Sequence, residues 1–213
     1  MPADDAVLQL FRNGVANVET VTTGWSEADW DRPACGTWTG IDLAGHLVTV
    51  VRWYHQWLDR GLAGTTDPMF AISDLSRETA RALNALEAGD GPSRIATFRS
   101  DADRYASRLV EHWDAPFTYP RGLVTAGLHA GVAASEWNLH AWDFAHSAGL
   151  DFEPVDAERL YTATAACLMA VTGGVRGRVG MRVADRIARR RAWLDLLRRS
   201  GRSSADVRPD IRE

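Results

Sequence analysis

Glu136 and His140 stand four residues apart in the segment Ser135-Glu136-Trp137-Asn138-Leu139-His140-Ala141-Trp142-Asp143. If that segment is helical, residues at this spacing share one face about 5–6 Å apart, and a carboxylate and an imidazole can reach one cation. A third ligand has to come from elsewhere. His46, in Asp42-Leu43-Ala44-Gly45-His46-Leu47-Val48, is the best candidate, because it sits on an apolar helical face where an unpartnered imidazole would be poorly satisfied. Two imidazoles, one carboxylate and one open position make a catalytic metal site rather than a closed structural one. The spacing alone equally fits an ordinary helix with a charged residue beside a core histidine.

Around this set, Asp143 lies three residues beyond His140, where it either accepts the ring's other N–H and orients it or is simply solvated. His129, about two turns before Glu136, and Trp57, on the helix of His46, are further candidates for a cofactor pocket. Each also fits a structural role, His129 as a satisfied histidine and Trp57 as core. Cys35 lacks a nearby His or cationic motif and reads as a small buried side chain rather than a reactive thiol. His55, His112 and His146 show no partner pattern. There is no glycine-rich phosphate loop, no His-Glu-x-x-His and no credible Ser-His-Asp arrangement.

The elements that must position these residues are helical. Apolar residues recur at three- and four-residue steps over 4–23, ended by Gly24. Residues 25–38, with Trp25, Trp30 and Trp38, read as an ordered loop lying over the core. Thr39-Gly40-Ile41-Asp42 matches a capping box and fixes the phase of the next helix, bringing His46 into the core about two turns in. Further helices are expected over 76–88, from a Ser93 cap to Trp113, over 124–148 with two apolar sides, over 156–172, and over an Arg-rich 181–199. Pro116 and Pro120 bracket a short extended passage, and no stretch shows strand alternation. The fold class is all-α, an up-down four-helix core with additional carboxy-terminal helices. Residues 1–150 are expected to form the metal-binding bundle and 151–213 a helical extension with a polar tail.

Composition narrows the function classes. A chain of 213 residues, 46% hydrophobic, can bury a sizeable core, and a formal charge of −4 gives no reason to expect nucleic acid or an anionic membrane as partner. Arg176, Arg178, Arg182, Arg186, Arg189, Arg190 and Arg191 form a solvated face or an electropositive rim for an anionic substrate. Every basic residue is Arg and Ala is abundant, which reads as a GC-rich genome. Two cysteines without metal-ligand spacing, an acidic amino terminus and no apolar run long enough for a span predict a cytoplasmic protein, with room for a homodimer.

Two blocks resemble the DinB-like superfamily and, within it, the mycothiol-dependent maleylpyruvate isomerase-like family. The first runs from Pro33-Ala34-Cys35 through Trp38-Thr39 to Asp42-Leu43-Ala44-Gly45-His46-Leu47. The second is Glu136-Trp137-Asn138-Leu139-His140-Ala141-Trp142-Asp143-Phe144-Ala145. Thr37 stands where the family usually has Gly before the Trp. The resemblance spans roughly residues 5–150 and implies a DinB-like bundle. It further implies a divalent metal, usually zinc, on His46, Glu136 and His140, with mycothiol as thiol cosubstrate and an actinobacterial source. Relatives elsewhere in the superfamily more often use three histidines, so Glu136 points to the thiol-dependent branch. Full-length maleylpyruvate isomerases carry a second domain, for which the residues after Gly149 leave little room.

The function expected is a metal-dependent S-transferase or isomerase in which a low-molecular-weight thiol attacks a small electrophile as thiolate. The alternatives are a hydrolase whose metal activates water, and a non-catalytic bundle that acts through a partner.

Overall fold

The computed structural model describes residues 3–172 and 192–202. Helices α1 (Asp5–Thr22), α3 (Gly40–Leu62), α5 (Gly91–Glu111) and α6 (Ala126–Ser147) form the expected four-helix core. In it α1 packs along α6, α3 along α5, and the α1–α5 and α3–α6 contacts close the bundle. The short helices α2 (Glu27–Trp30) and α4 (Leu75–Asn84) lie in the connections, and α7 (Ala157–Thr172) and α8 (Ala192–Arg199) follow the bundle. α7 packs on α6, and α8 packs on α7. Trp137 fills the centre, fully buried, with Phe98 at 4.8 Å and Phe11 at 6.0 Å between ring centroids, both edge-on. Among the described residues no helix is long and apolar enough to cross a membrane.

Local chemistry explains the helix starts. The Asp4 carboxylate accepts from the amides of Ala6 and Val7 at 2.9 and 3.3 Å. Thr39 Oγ1 accepts from the Asp42 amide at 3.3 Å while Asp42 Oδ2 accepts from the Thr39 amide at 3.1 Å, so the capping box reads as the sequence suggests. Helix α5 starts earlier than its sequence implies. Asp90, not Ser93, is the cap, its carboxylate accepting from the Ser93 amide at 2.8 Å. Gly91-Pro92 reads as a break but forms the first turn, where a proline's missing N–H costs nothing.

The connections hold more structure than the sequence suggests. Residues 25–38, expected as loop, contain α2, with its own Ser26/Asp29 capping box, and a two-stranded ribbon of β1 (Pro33–Cys35) and β2 (Trp38–Thr39). The passage between Pro116 and Pro120 is the first strand of an antiparallel hairpin, β3 (Pro116–Tyr119) with β4 (Gly122–Thr125), turning at Pro120-Arg121. Strands of four residues are too short to declare a period of two. Helix α4 ends at Asn84, short of the expected 88. Of the expected 181–199 helix only Ala192–Arg199 is described, and the arginines from Arg176 to Arg191 lie outside the described residues.

The β3–β4 hairpin is seated on the last turn of α3, where a Cβ on Gly61 would stand 2.3 Å from the Pro116 carbonyl oxygen and 2.7 Å from Phe117 Cβ. Gly61→Ala gains about 1 kcal/mol of helix propensity but must push the hairpin away, at about 1–3 kcal/mol or more. The expected outcome is a net loss of on the order of 1–2 kcal/mol, read as a lower urea midpoint at unchanged slope.

Candidate metal centre

Helix α3 carries His46 inward from its second turn, and α6 presents Glu136 and His140 on successive turns facing it. Glu136 Oε1 lies 3.4 Å from His46 Nε2 and 3.3 Å from His140 Nε2. The two imidazoles meet edge-on at 5.0 Å between centroids. One donor atom from each of the three residues lies within 4.8 Å of the others. His46 and His140 are buried, whereas the Glu136 side chain keeps 33% of its surface exposed.

His140 is held from behind. Its Nδ1–H donates to Asp143 Oδ2 at 2.8 Å, and Arg202 grips the same carboxylate with two nitrogens, Nε lying 2.7 Å from Oδ1. With its proton on Nδ1, a neutral His140 ring would turn its Nε2 lone pair toward the Glu136 carboxylate, the form that takes a metal. Two such electron-rich atoms need positive charge between them, either an ion or a proton on Nε2. A tetrahedron with metal–ligand bonds of about 2.0–2.1 Å has edges of about 3.3–3.4 Å. The observed separations of 3.3 and 3.4 Å fit that edge, so the residues present suit a divalent ion.

Burial and partners oppose each other at these groups. Burial pushes the Glu136 carboxyl up, but hydrogen bonds to His140 and His46 outweigh it and hold the group well below the usual range. Burial pushes His46 down. At His140 burial is outweighed by the hydrogen bonds to Asp143 and Glu136, and the ring is raised. At Asp143 burial is outweighed by the hydrogen bonds with His140 and Arg202, so this carboxylate stays ionised.

A cavity of about 470 Å³ opens onto the centre, with His46 and Glu136 in its wall beside Trp38, Tyr54, Trp57 and Tyr119. Trp57 thus stands in the wall. His129 does not; of its two readings the structural one fits, since it lies fully buried behind the wall, against the rings of Tyr54 at 4.4 Å and Tyr119 at 5.0 Å. Burial pushes its pKa down to about 3, so it is a neutral core histidine. The inward face it shares with Glu136 on α6 continues past the cavity into the aromatic core.

Arg202 is missing from the sequence reading. Asp143, read there as either the group that orients His140 or a solvated residue, is 2% exposed and bonded on both sides. Cys35 is neither isolated nor fully buried. Its thiol neighbours Asp143 and His140, and burial together with the Asp143 charge pushes it up to about 11, which keeps it protonated and a poor nucleophile. Residues 59 positions apart, as Asp143 and Arg202 are, leave no local pattern to find.

A family model described as the mycothiol maleylpyruvate isomerase N-terminal domain matches residues 11–145. The chain belongs to this family. Two solved structures are similar to it, the crystal structure of the mycothiol-dependent maleylpyruvate isomerase and that of a mutant of it. Each has a TM-score of 0.53 at 17% sequence identity, over 66% of this chain and 60% of that one. At that identity the likeness shows a shared fold. The chain spans 60% of the length of these relatives. No curated protein matches.

Because Arg202 and Asp143 act on the centre only through His140, their removal is expected to loosen an ion without abolishing its binding. Arg202→Ala and Asp143→Asn should each weaken zinc binding by about 10–100-fold, measured by competition with a chromophoric chelator. Unchanged affinity in both would show that Asp143 does not orient the ring.

Proposed function

We propose that this chain is a metal- and thiol-dependent enzyme, an isomerase or S-transferase that uses mycothiol or a similar small thiol on a small electrophile. The observation that carries the reading is the convergence of His46, Glu136 and His140 at the wall of an aromatic cavity, with Glu136 left one-third exposed (33%). Membership of the mycothiol maleylpyruvate isomerase N-terminal domain family supports the choice of thiol.

In this reading His46 Nε2, Glu136 Oε1 and His140 Nε2 hold a divalent ion, zinc by donor type. When bound, the ion supplies Lewis acidity at an open position and lowers the pKa of a thiol there, so that the thiol reacts as thiolate at neutral pH. Glu136 contributes the one negative charge, and the two histidines are neutral. Asp143 keeps the His140 proton on Nδ1, leaving Nε2 free as a donor. Trp38, Trp57 and Tyr119 line the cavity and offer flat faces to a planar substrate. Addition of the thiol sulfur to an activated double bond permits rotation about the former double bond. Loss of the sulfur then completes isomerisation, and its retention is S-transfer.

The test is consumption of maleylpyruvate, and of a panel of epoxides and conjugated enones, with mycothiol, with another thiol and with none. Turnover that needs a thiol supports the reading. Equal turnover in all three favours the water-activating hydrolase.

A further inference from the structure

The β3–β4 hairpin brings to the cavity a side chain that the bundle helices do not supply. Arg121, in the turn between the strands, lines the same cavity as His46 and Glu136 and is the one cationic side chain among its described lining residues. It is exposed and neighbours Tyr119, and no ion pair involves it among the described residues. The strand residue next to the turn, Tyr119, packs edge-on against Trp57 of α3 at 5.2 Å between ring centroids, which holds this end of the hairpin beside the cavity. Most of the remaining wall is aromatic or aliphatic. Of its two hydroxyl residues on α4, Thr79 already spends its hydroxyl on the Leu75 carbonyl oxygen.

A guanidinium at the edge of a mostly apolar cavity is a fork for an anion, because it has donors to spare and a low-dielectric wall beside it. Glu136, in the same wall, would repel an anion unless its charge is offset. The cavity therefore carries one carboxylate and one guanidinium among mostly apolar side chains. We propose that Arg121 is a specificity-determining residue that anchors a carboxylate of the electrophile, so that the cavity selects planar, carboxylate-bearing substrates over neutral ones of the same shape. This rests on the proposed function for the reaction, but the binding preference itself needs no thiol and no turnover.

The test is calorimetric titration of the zinc-loaded full chain, without thiol, using trans-cinnamate and its neutral isostere trans-cinnamamide. Wild type is expected to prefer the carboxylate by about tenfold. Arg121→Ala and Arg121→Gln should bring the two affinities together by weakening cinnamate alone; unchanged binding of the amide shows that the cavity is intact. Arg121→Lys should keep part of the preference. The same preference in Arg121→Ala as in wild type would overturn the proposal and move the carboxylate to the metal. Failure of wild type to bind cinnamate at millimolar concentration would also overturn it. Thiol-independent turnover would sink the proposed reaction and leave this result standing.

Discussion

His140→Ala is expected to lose its divalent ion under conditions in which the wild type stays loaded. In the proposed site the ring supplies one of three protein ligands, and the remaining pair, His46 and Glu136, comes from two different helices with no third donor grouped with it among the described residues. Structural zinc sites bind with about 10–16 kcal/mol over four ligands, so deleting one ligand weakens binding by about 10²–10³-fold. The bundle should survive, because Asp143 keeps Arg202 as a partner and α6 is buried mainly through Trp137, Ala141 and Phe144. Equilibrium dialysis against zinc followed by metal analysis reads the loss, and far-ultraviolet circular dichroism checks the fold. Full occupancy in His140→Ala would remove this residue from the set.

The second large effect is expected from Glu136→Ala on turnover. Glu136 sets the charge of the centre. Two neutral imidazoles and one carboxylate leave a divalent ion with one net positive charge, enough to hold a thiolate. Removing the carboxylate changes both affinity for the ion and the tuning of the nucleophile, and thiol-dependent turnover should fall by about 10²–10³-fold or more even with excess zinc. Helical content should be unchanged, since Glu136 is not a core residue and its neighbours on α6 still pack. Turnover in Glu136→Ala within a few-fold of wild type would remove the carboxylate from the mechanism.

What could be read from the sequence is what depends on local spacing. The i,i+4 pair Glu136/His140 needs only a helix to face one point, and the capping box at Thr39/Asp42 sets the phase that turns His46 inward. The four core helices follow from their apolar stripes. Features set by residues far apart, or by very short elements, were not legible. The hairpin of β3 and β4 has strands of four residues, too few for a pattern, and its turn residue Arg121 shows its place in the cavity only once the hairpin is seated on α3. Gly91-Pro92 looks like punctuation until Asp90 is seen to cap the helix ahead of it. Arg202 reaches Asp143 through tertiary packing alone, and the Cys35 neighbourhood arises because the β1–β2 ribbon packs on α6. His129 shows the limit of helical phase, which gives a side chain's direction but not whether a cavity or a core lies there.

Replacing the ion with Co²⁺ and recording the visible and near-ultraviolet spectrum as mycothiol is added tests the central claim most directly. The account predicts d–d bands of a low-coordinate centre in the wild type. Adding the thiol should produce a new sulfur-to-cobalt charge-transfer band that saturates at one equivalent per chain, and the band should be missing in His140→Ala. A cobalt spectrum that does not change with thiol would contradict the open, thiol-accepting centre on which the proposed function rests.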